Sequence, residues 1–384
     1  MYQYKNCIIC HKKGYIQCEQ CNKPSFFCSK EHLFLHNQKD HRAINIQNQN
    51  YSNINNNDIK KDIMIKMSNQ DYSNSILLIN NYLNLLKQQN QYNVYNNLII
   101  IELLYTLAEC HLNLSNLDES KNTLNEIINL TDDLGNNITN NIYQIIIFRQ
   151  KTNMLLGAIS LNLGEYNNSL KAYFSCENDL PKICKEPELN VKLSAVYLNI
   201  GLSYIYLGNK NIAEKYLKKA LSQTEGILGN DVIHKLNADI FENLGAVYEM
   251  MNRYKDSLIF YKKSLKLKFN LYGEAHDEVL ELQYKISECY LSLKQFEQAE
   301  EILGSIVELI LKQKINKANQ ETIYRYSTYF YTYGVVLIKL NRLNNAKMYF
   351  NKTLEINEGF LLPNDPWIIN INDLIKICDS KKIK

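Results

Sequence analysis

Five of the chain's ten cysteines, Cys7, Cys10, Cys18, Cys21 and Cys28, fall within its first 28 residues, and His32, His36 and His41 follow them. The order is C-x2-C, seven residues, C-x2-C, six residues, then C-x3-H-x3-H-x4-H. Thiolates and imidazoles in this pattern are Zn²⁺ ligands, because each C-x2-C knuckle brings two sulfurs together on one tight turn, half of a tetrahedral site. Eight donors supply two such sites, so two zinc ions are expected. An interleaved pairing sets Cys7, Cys10, Cys28 and His32 around one ion and Cys18, Cys21, His36 and His41 around the other. A sequential pairing satisfies the same spacing. His11, directly after a knuckle, reads as a bystander. Filled four-ligand sites leave no open position for chemistry, so the expected role of the metal is structural. Roughly 40 residues bury too little apolar surface to fold unaided, and metal binding would supply the difference.

The elements around these donors are short. Phe26 and Phe27 precede Cys28, and the stretch from Cys28 to His41 reads as a helix carrying Leu33, Phe34 and Leu35. His32 and His36, four apart, share one helix face. The polar run INIQNQNYSNINNND over residues 44–58 has no helical period and reads as a linker.

Beyond it the chain repeats. YLNIGLSYIYLGNKNIAEKYLKKAL at 197–221 and FENLGAVYEMMNRYKDSLIFYKKSL at 241–265 share apolar, small and aromatic positions on either side of a short turn. One small residue recurs at Ala108, Gly157, Gly201, Gly245, Ser287 and Gly334, and a second at Ser120, Ser169, Ala213, Ser257, Ala299 and Ala346. Both series step by 49, 44, 44, 42 and 47, a register that independent helices would not keep. Small residues at these places let two antiparallel helices approach closely. A seventh, degenerate copy is expected around Ser75, which lies 45 before Ser120. Only five prolines occur, which suits long helices.

The 384 residues carry a formal net charge of +3 with both signs interspersed, against a nucleic-acid partner. No signal peptide and no run of about 18 apolar residues is read, so no membrane partner is expected and the thiols should stay reduced in the cytoplasm. Cys110, Cys176, Cys184, Cys289 and Cys378 read as buried structural thiols, and His111, His234 and His276 are isolated. No phosphate loop or nucleophile elbow is seen, so no enzyme is expected.

CIIC, CEQC and FFCSKEH resemble the MYND, HIT and related cross-brace zinc fingers, although His32 and His41 stand where those fingers usually carry cysteine. The repeats resemble the tetratricopeptide (TPR) family, and LYGEAHDEV at 271–279 resembles the inter-repeat loop of the kinesin-light-chain type. The fold class this implies is all-α: a TPR-type α-solenoid of six to seven helix pairs preceded by a small cross-brace zinc finger. The domains are then finger 1–43, linker 44–58, repeat array 59–362 and tail 363–384.

What the resemblance implies is a non-catalytic protein–protein interaction scaffold. Asn199 and Asn243, two residues before the small one, occupy a place where Asn in related arrays holds an extended peptide backbone. Ala158, Leu202, Ala246 and Val335 stand where a carboxylate clamp would need Asn. A finger followed by TPRs resembles the MYND-finger TPR proteins of motile-cilium axonemes. That likeness implies a cilium or axoneme location, another TPR protein as partner, and dynein-related subunits. A soluble adaptor, assembly factor or transcriptional co-regulator is the alternative. A MYND-type lysine methyltransferase would need a β-rich catalytic domain for which a finger starting at Cys7 and a helical remainder leave no room.

Overall fold

The computed structural model describes residues 16–17, 26–27, 56–88, 94–137, 142–224, 231–312, 320–357, 361–362 and 364–380. The eight expected zinc ligands, the 28–41 helix and most of the linker lie outside these residues. The chain divides into two compact units, Met1–Asn84 and Leu85–Lys384. In the first, β1 (Ile16–Gln17) pairs antiparallel with β2 (Phe26–Phe27), Ile16 opposite Phe27. Helix α1 (Asn56–Ser68) follows, and α2 (Tyr72–Gln88) runs across the boundary. The array therefore begins three residues before its expected start, inside what reads as linker.

The second unit is a run of antiparallel helix pairs. They are α3 (Val94–Asn113) with α4 (Leu117–Asn137), α5 (Ile142–Asn162) with α6 (Tyr166–Ile183), and α7 (Glu188–Tyr206) with α8 (Lys210–Thr224). Then come α9 (Asp231–Met250) with α10 (Tyr254–Tyr272), α11 (Asp277–Ser292) with α12 (Phe296–Lys312), and α13 (Gln320–Lys339) with α14 (Leu343–Ile356). Each helix packs on the next, and the first helices of neighbouring pairs also touch, α3 on α5, α5 on α7 and α7 on α9. That nearest-neighbour packing is a solenoid. Residues read as a tail form α15 (Pro366–Ser380), which covers α14 with Ile371 and Cys378 fully buried. Pro366 opens this helix at its first position, where its missing N–H costs nothing.

The turn inside each pair repeats one geometry. Gln70, Ser115, Gly164, Gly208, Asn252, Lys294 and Asn341 all adopt positive φ, between 58° and 75°. At each, the residue's N–H bonds three back and the following N–H bonds five back, as in Gly208 N to Ile205 O and Asn209 N to Tyr204 O. This is the Schellman motif, which satisfies the last carbonyls of the first helix. The seven positions keep the spacing of the small-residue series. Gln70 supplies the turn between α1 and α2, so the degenerate seventh copy is present.

Where the two helices of a pair cross, the first small residue lies under the side chain sixteen positions on. A β-carbon at Gly157 would come within 2.7 Å of the Tyr173 ring, one at Gly201 within 2.8 Å of Leu217, and one at Gly334 within 2.6 Å of Phe350. At Gly245 it would collide with the Tyr261 ring. The second small residue sits beside this contact: Ser120 Oγ donates to the Ala108 carbonyl at 2.8 Å. One layer away, Ser194 Oγ bonds the Ala220 carbonyl and Ser264 Oγ bonds the Ala238 carbonyl, both at 2.8 Å. These are the same two repeat positions with Ser and Ala exchanged between helices. In the preceding pair Cys176 Sγ bonds the Gln150 carbonyl there, at 3.5 Å.

Gly245→Ala is expected to cost about 1–3 kcal/mol by overpacking, and Tyr261→Leu in the same chain should recover part of it. Urea melts of the two single variants and the double test this. Strictly additive losses would show that the ring and the glycine do not oppose each other.

Candidate functional site

Each first helix turns one stripe toward its second helix and the opposite stripe away. On α7 the glycine stripe includes Ser194, Tyr197 and Gly201, all buried, and the opposite stripe is half-buried or exposed: Lys192, Ala195, Asn199, Leu202 and Tyr206. Lined up across α5 to α13, these outward stripes are the face on which an extended partner could lie.

Asn199 and Asn243 hold the same register on α7 and α9, and both are half-buried. Each spends its amide N–H on its own helix: Asn199 Nδ2 donates to the Ala195 carbonyl at 3.0 Å and Asn243 Nδ2 to the Asp239 carbonyl at 2.8 Å. What remains to offer a ligand is the second Nδ2 hydrogen and Oδ1, the latter an acceptor for a peptide N–H.

Next to Asn243 the same face carries a charged network that sequence reading missed. Lys268, reaching over from α10 and 5% exposed, pairs with Glu242 at 2.6 Å, Glu278 at 2.8 Å and Asp239 at 3.8 Å. Lys285 of α11 pairs with Glu242 at 2.7 Å and Glu281 at 3.2 Å. Burial pushes the Glu242 carboxyl up, but Lys285 and Lys268 outweigh it and hold it below the usual range. Asp239 goes the other way, raised chiefly by burial. These pairs tie α9, α10 and α11 together. Earlier in the array Arg149 of α5 grips Asp179 of α6 with two bonds, at 2.7 and 2.8 Å, and also reaches Asp132 of α4 at 3.4 Å. Burial raises the Asp179 carboxyl, and the bonds from Arg149 and Lys182 overcome it and lower it.

Two carboxylates stay outside these pairings. A cleft of about 650 Å³ opens between α9, α10 and α11, walled by Met250, Tyr254 and Leu291 and holding Glu249, Glu288 and Lys285. Glu249 accepts the Tyr261 hydroxyl at 2.7 Å. Burial raises the Glu288 carboxyl, the Tyr284 hydroxyl opposes the rise, and Glu249 adds to it. Lys285 is already shared by Glu242 and Glu281, and among the described residues neither Glu249 nor Glu288 has a cation within ion-pair distance. Apolar walls with two carboxylates that make no ion pair among the described residues suit a lysine or arginine side chain, whose methylene stem packs while its head pairs.

The remaining singled-out residues are structural. Cys110, Cys176, Cys184, Cys289 and Cys378 are all buried. Burial pushes Cys176 up to about 12 and Cys289 up to about 11, away from any thiolate chemistry. His276 caps α11 by accepting the Glu278 N–H. Among the described residues no group of three or more Cys, His, Asp or Glu could hold a metal, and no helix is long and apolar enough to cross a membrane.

Comparison with known proteins agrees with this geometry. The tetratricopeptide repeat family profile matches residues 192–268, 236–310 and 327–360. A clustered mitochondria protein homolog of Candida albicans is 26% identical over 179 residues, which is 46% of this chain and 12% of that protein. Among solved structures, the apo form of RapI aligns over 85% of each chain at TM-score 0.58 and 15% identity. BtubC (BKLC) of P. vanneervenii aligns over 64% of this chain and 94% of its own at TM-score 0.52 and 15% identity. The C-terminal part of a TPR repeat-containing protein of Cytophaga hutchinsonii covers 81% of this chain and 98% of its own, at TM-score 0.50 and 13% identity. At such identities the likeness is one of fold: the helical residues form a TPR-like solenoid.

Asp179 and Glu242 have folded-state pKa values below their unfolded ones. Their contribution to stability is therefore present above about pH 4 and lost as pH falls through the lowered values. Asp239 and Glu288, raised, work in the opposite sense. Urea midpoints between pH 5 and pH 3 should fall less steeply in Asp179→Asn than in the unmodified chain. Equal slopes would remove Asp179 from the acid-sensitive set.

Proposed function

We propose that this chain is a non-catalytic interaction scaffold that holds an extended, basic segment of a partner protein along the outward face of its first helices. The observation that carries this is the cleft at Glu249 and Glu288, where two carboxylates line an apolar-walled opening whose lysine, Lys285, is already paired with Glu242 and Glu281. In the same reading, Asn199 and Asn243 each present Oδ1 to the partner's backbone. Selection of a random-peptide library on the full chain tests it. Lys or Arg should be enriched at one fixed position, and Glu249→Gln with Glu288→Gln should abolish that enrichment while leaving the thermal melt in place. Enrichment of acidic peptides, or basic enrichment indifferent to both substitutions, would refute the reading.

The donor set Cys7, Cys10, Cys18, Cys21, Cys28, His32, His36 and His41 fits two structural Zn²⁺ ions by number and chemistry. Elemental analysis of the purified chain should find two zinc ions per polypeptide. One or none would refute the two-site reading.

The order of parts, a cysteine–histidine segment before a TPR array, supports a finer reading as a structural subunit of a ciliary axoneme, set beside another TPR protein and dynein-related subunits. A soluble adaptor, assembly factor or transcriptional co-regulator is the alternative reading of the same array. Retention in the cytoskeleton after detergent extraction of the source cells belongs to the first, and release to the second.

A further inference from the structure

A second cleft, of about 460 Å³, lies between α4 and α6 with α5 as its floor, among second helices rather than on the first-helix face. Its lining includes Asn125, Asn153, Ser160, Ala172 and Ser175, with Lys171 at the rim. The repeat register explains why it exists. One repeat on, the equivalents of Asn125, Asn153, Ser160 and Ala172 are Phe174, Tyr197, Tyr204 and Tyr216. There Tyr216 stacks on Tyr204 at 5.9 Å between centroids and touches Phe174 and Tyr197, each at 6.1 Å. Two repeats on, Phe241, Tyr248 and Phe260 fill the same places, with Tyr248 stacked on Phe260 at 5.3 Å. The cleft is thus the groove between consecutive second helices with its rings removed.

What replaces the rings is polar. Asn153, 5% exposed, donates Nδ2 to Ser175 Oγ at 3.0 Å. Ser160 is fully buried and its hydroxyl has no hydrogen-bond partner among the described residues, an expensive state in a helix interior. Arg149 and Lys121, which also line the cleft, are held by Asp179 and Glu165, whereas Lys171 is in no ion pair among the described residues. In the filled grooves a lysine lies over the rings, Lys219 at 3.9 Å from the Tyr197 centroid and Lys263 at 5.5 Å from Phe260, and the register puts Ser175 at that position in the open cleft. The volume is within the range that takes small organic groups.

We propose that this cleft is a docking slot for a tyrosine side chain of a partner polypeptide, which supplies in trans the ring that the two following repeats carry in cis. The ring fills the space between α4 and α6, and the phenol meets the amide and hydroxyl groups of the lining.

The test titrates the full chain with p-cresol, following the methyl NMR signals of Ile128 and Leu156 in the cleft, with toluene as the ring without a hydroxyl. Saturable shifts confined to these methyls are expected, with p-cresol bound several-fold more tightly than toluene. Ala172→Tyr restores the ring of the next repeat and should abolish the shifts while keeping or raising the melting temperature. Should that variant fail to fold, Asn125→Phe, at an exposed position on the cleft wall, should weaken p-cresol in its place. Absence of saturable shifts, equal binding of toluene, or binding undiminished in a folded filled variant would overturn the proposal.

Discussion

The helix array depends on how closely the two helices of each pair approach at one point. That approach is set where an aromatic ring or leucine of the second helix lies over a residue with no side chain, or almost none, on the first. Gly157 under Tyr173, Gly245 under Tyr261 and Gly334 under Phe350 are the same contact made three times. Glycine in a helix interior costs about 1 kcal/mol against alanine, so its recurrence is explained only by the ring above it. Once this distance is fixed, the Ser–Ala layer beside it can bond across the pair, and the first helices are brought side by side in one row.

That row is where charge is concentrated. Lys268 reaches through from a second helix to neutralise three carboxylates contributed by two first helices, so the network joins consecutive repeats, while Glu249 and Glu288 in the neighbouring cleft make no ion pair among the described residues. The second-helix side is organised differently. It fills its grooves with rings where the sequence supplies them and stays open where Asn125, Asn153, Ser160 and Ala172 stand. Both faces thus follow from one scaffold, and each departs from regularity at a place that can receive another molecule.

Much of this was legible in the sequence, because small residues kept under steric pressure hold an exact spacing. The repeat register, the pairing of helices and the extra copy at Ser75 all came from that signal. The turns were less visible: their positive-φ position holds Gln, Ser, Gly, Gly, Asn, Lys and Asn, since a Schellman turn tolerates αL in several residue types when its hydrogen bonds are met. The residue that lies over each glycine is not marked by the small-residue spacing. The second small residue, twelve on, is adjacent to the contact, while the one that fills it is sixteen on. Helix α15 escaped because Pro366 reads equally as a stop and as a first helical residue. The ion network and the Glu249–Glu288 cleft could not be found from spacing, since they join residues from three helices. The zinc ligands lie outside the described residues and rest on donor chemistry alone.

The most direct measurement of the central claim is crosslinking of the native assembly, with mass spectrometry of the sites joined. A carbodiimide couples carboxylates to amines at contact distance. The account expects partner lysines joined to Glu249 and Glu288 in the cleft between α9 and α11. Partner crosslinks confined to second-helix carboxylates such as Glu126 and Asp256, with Glu249 and Glu288 unmodified by any partner, would contradict it.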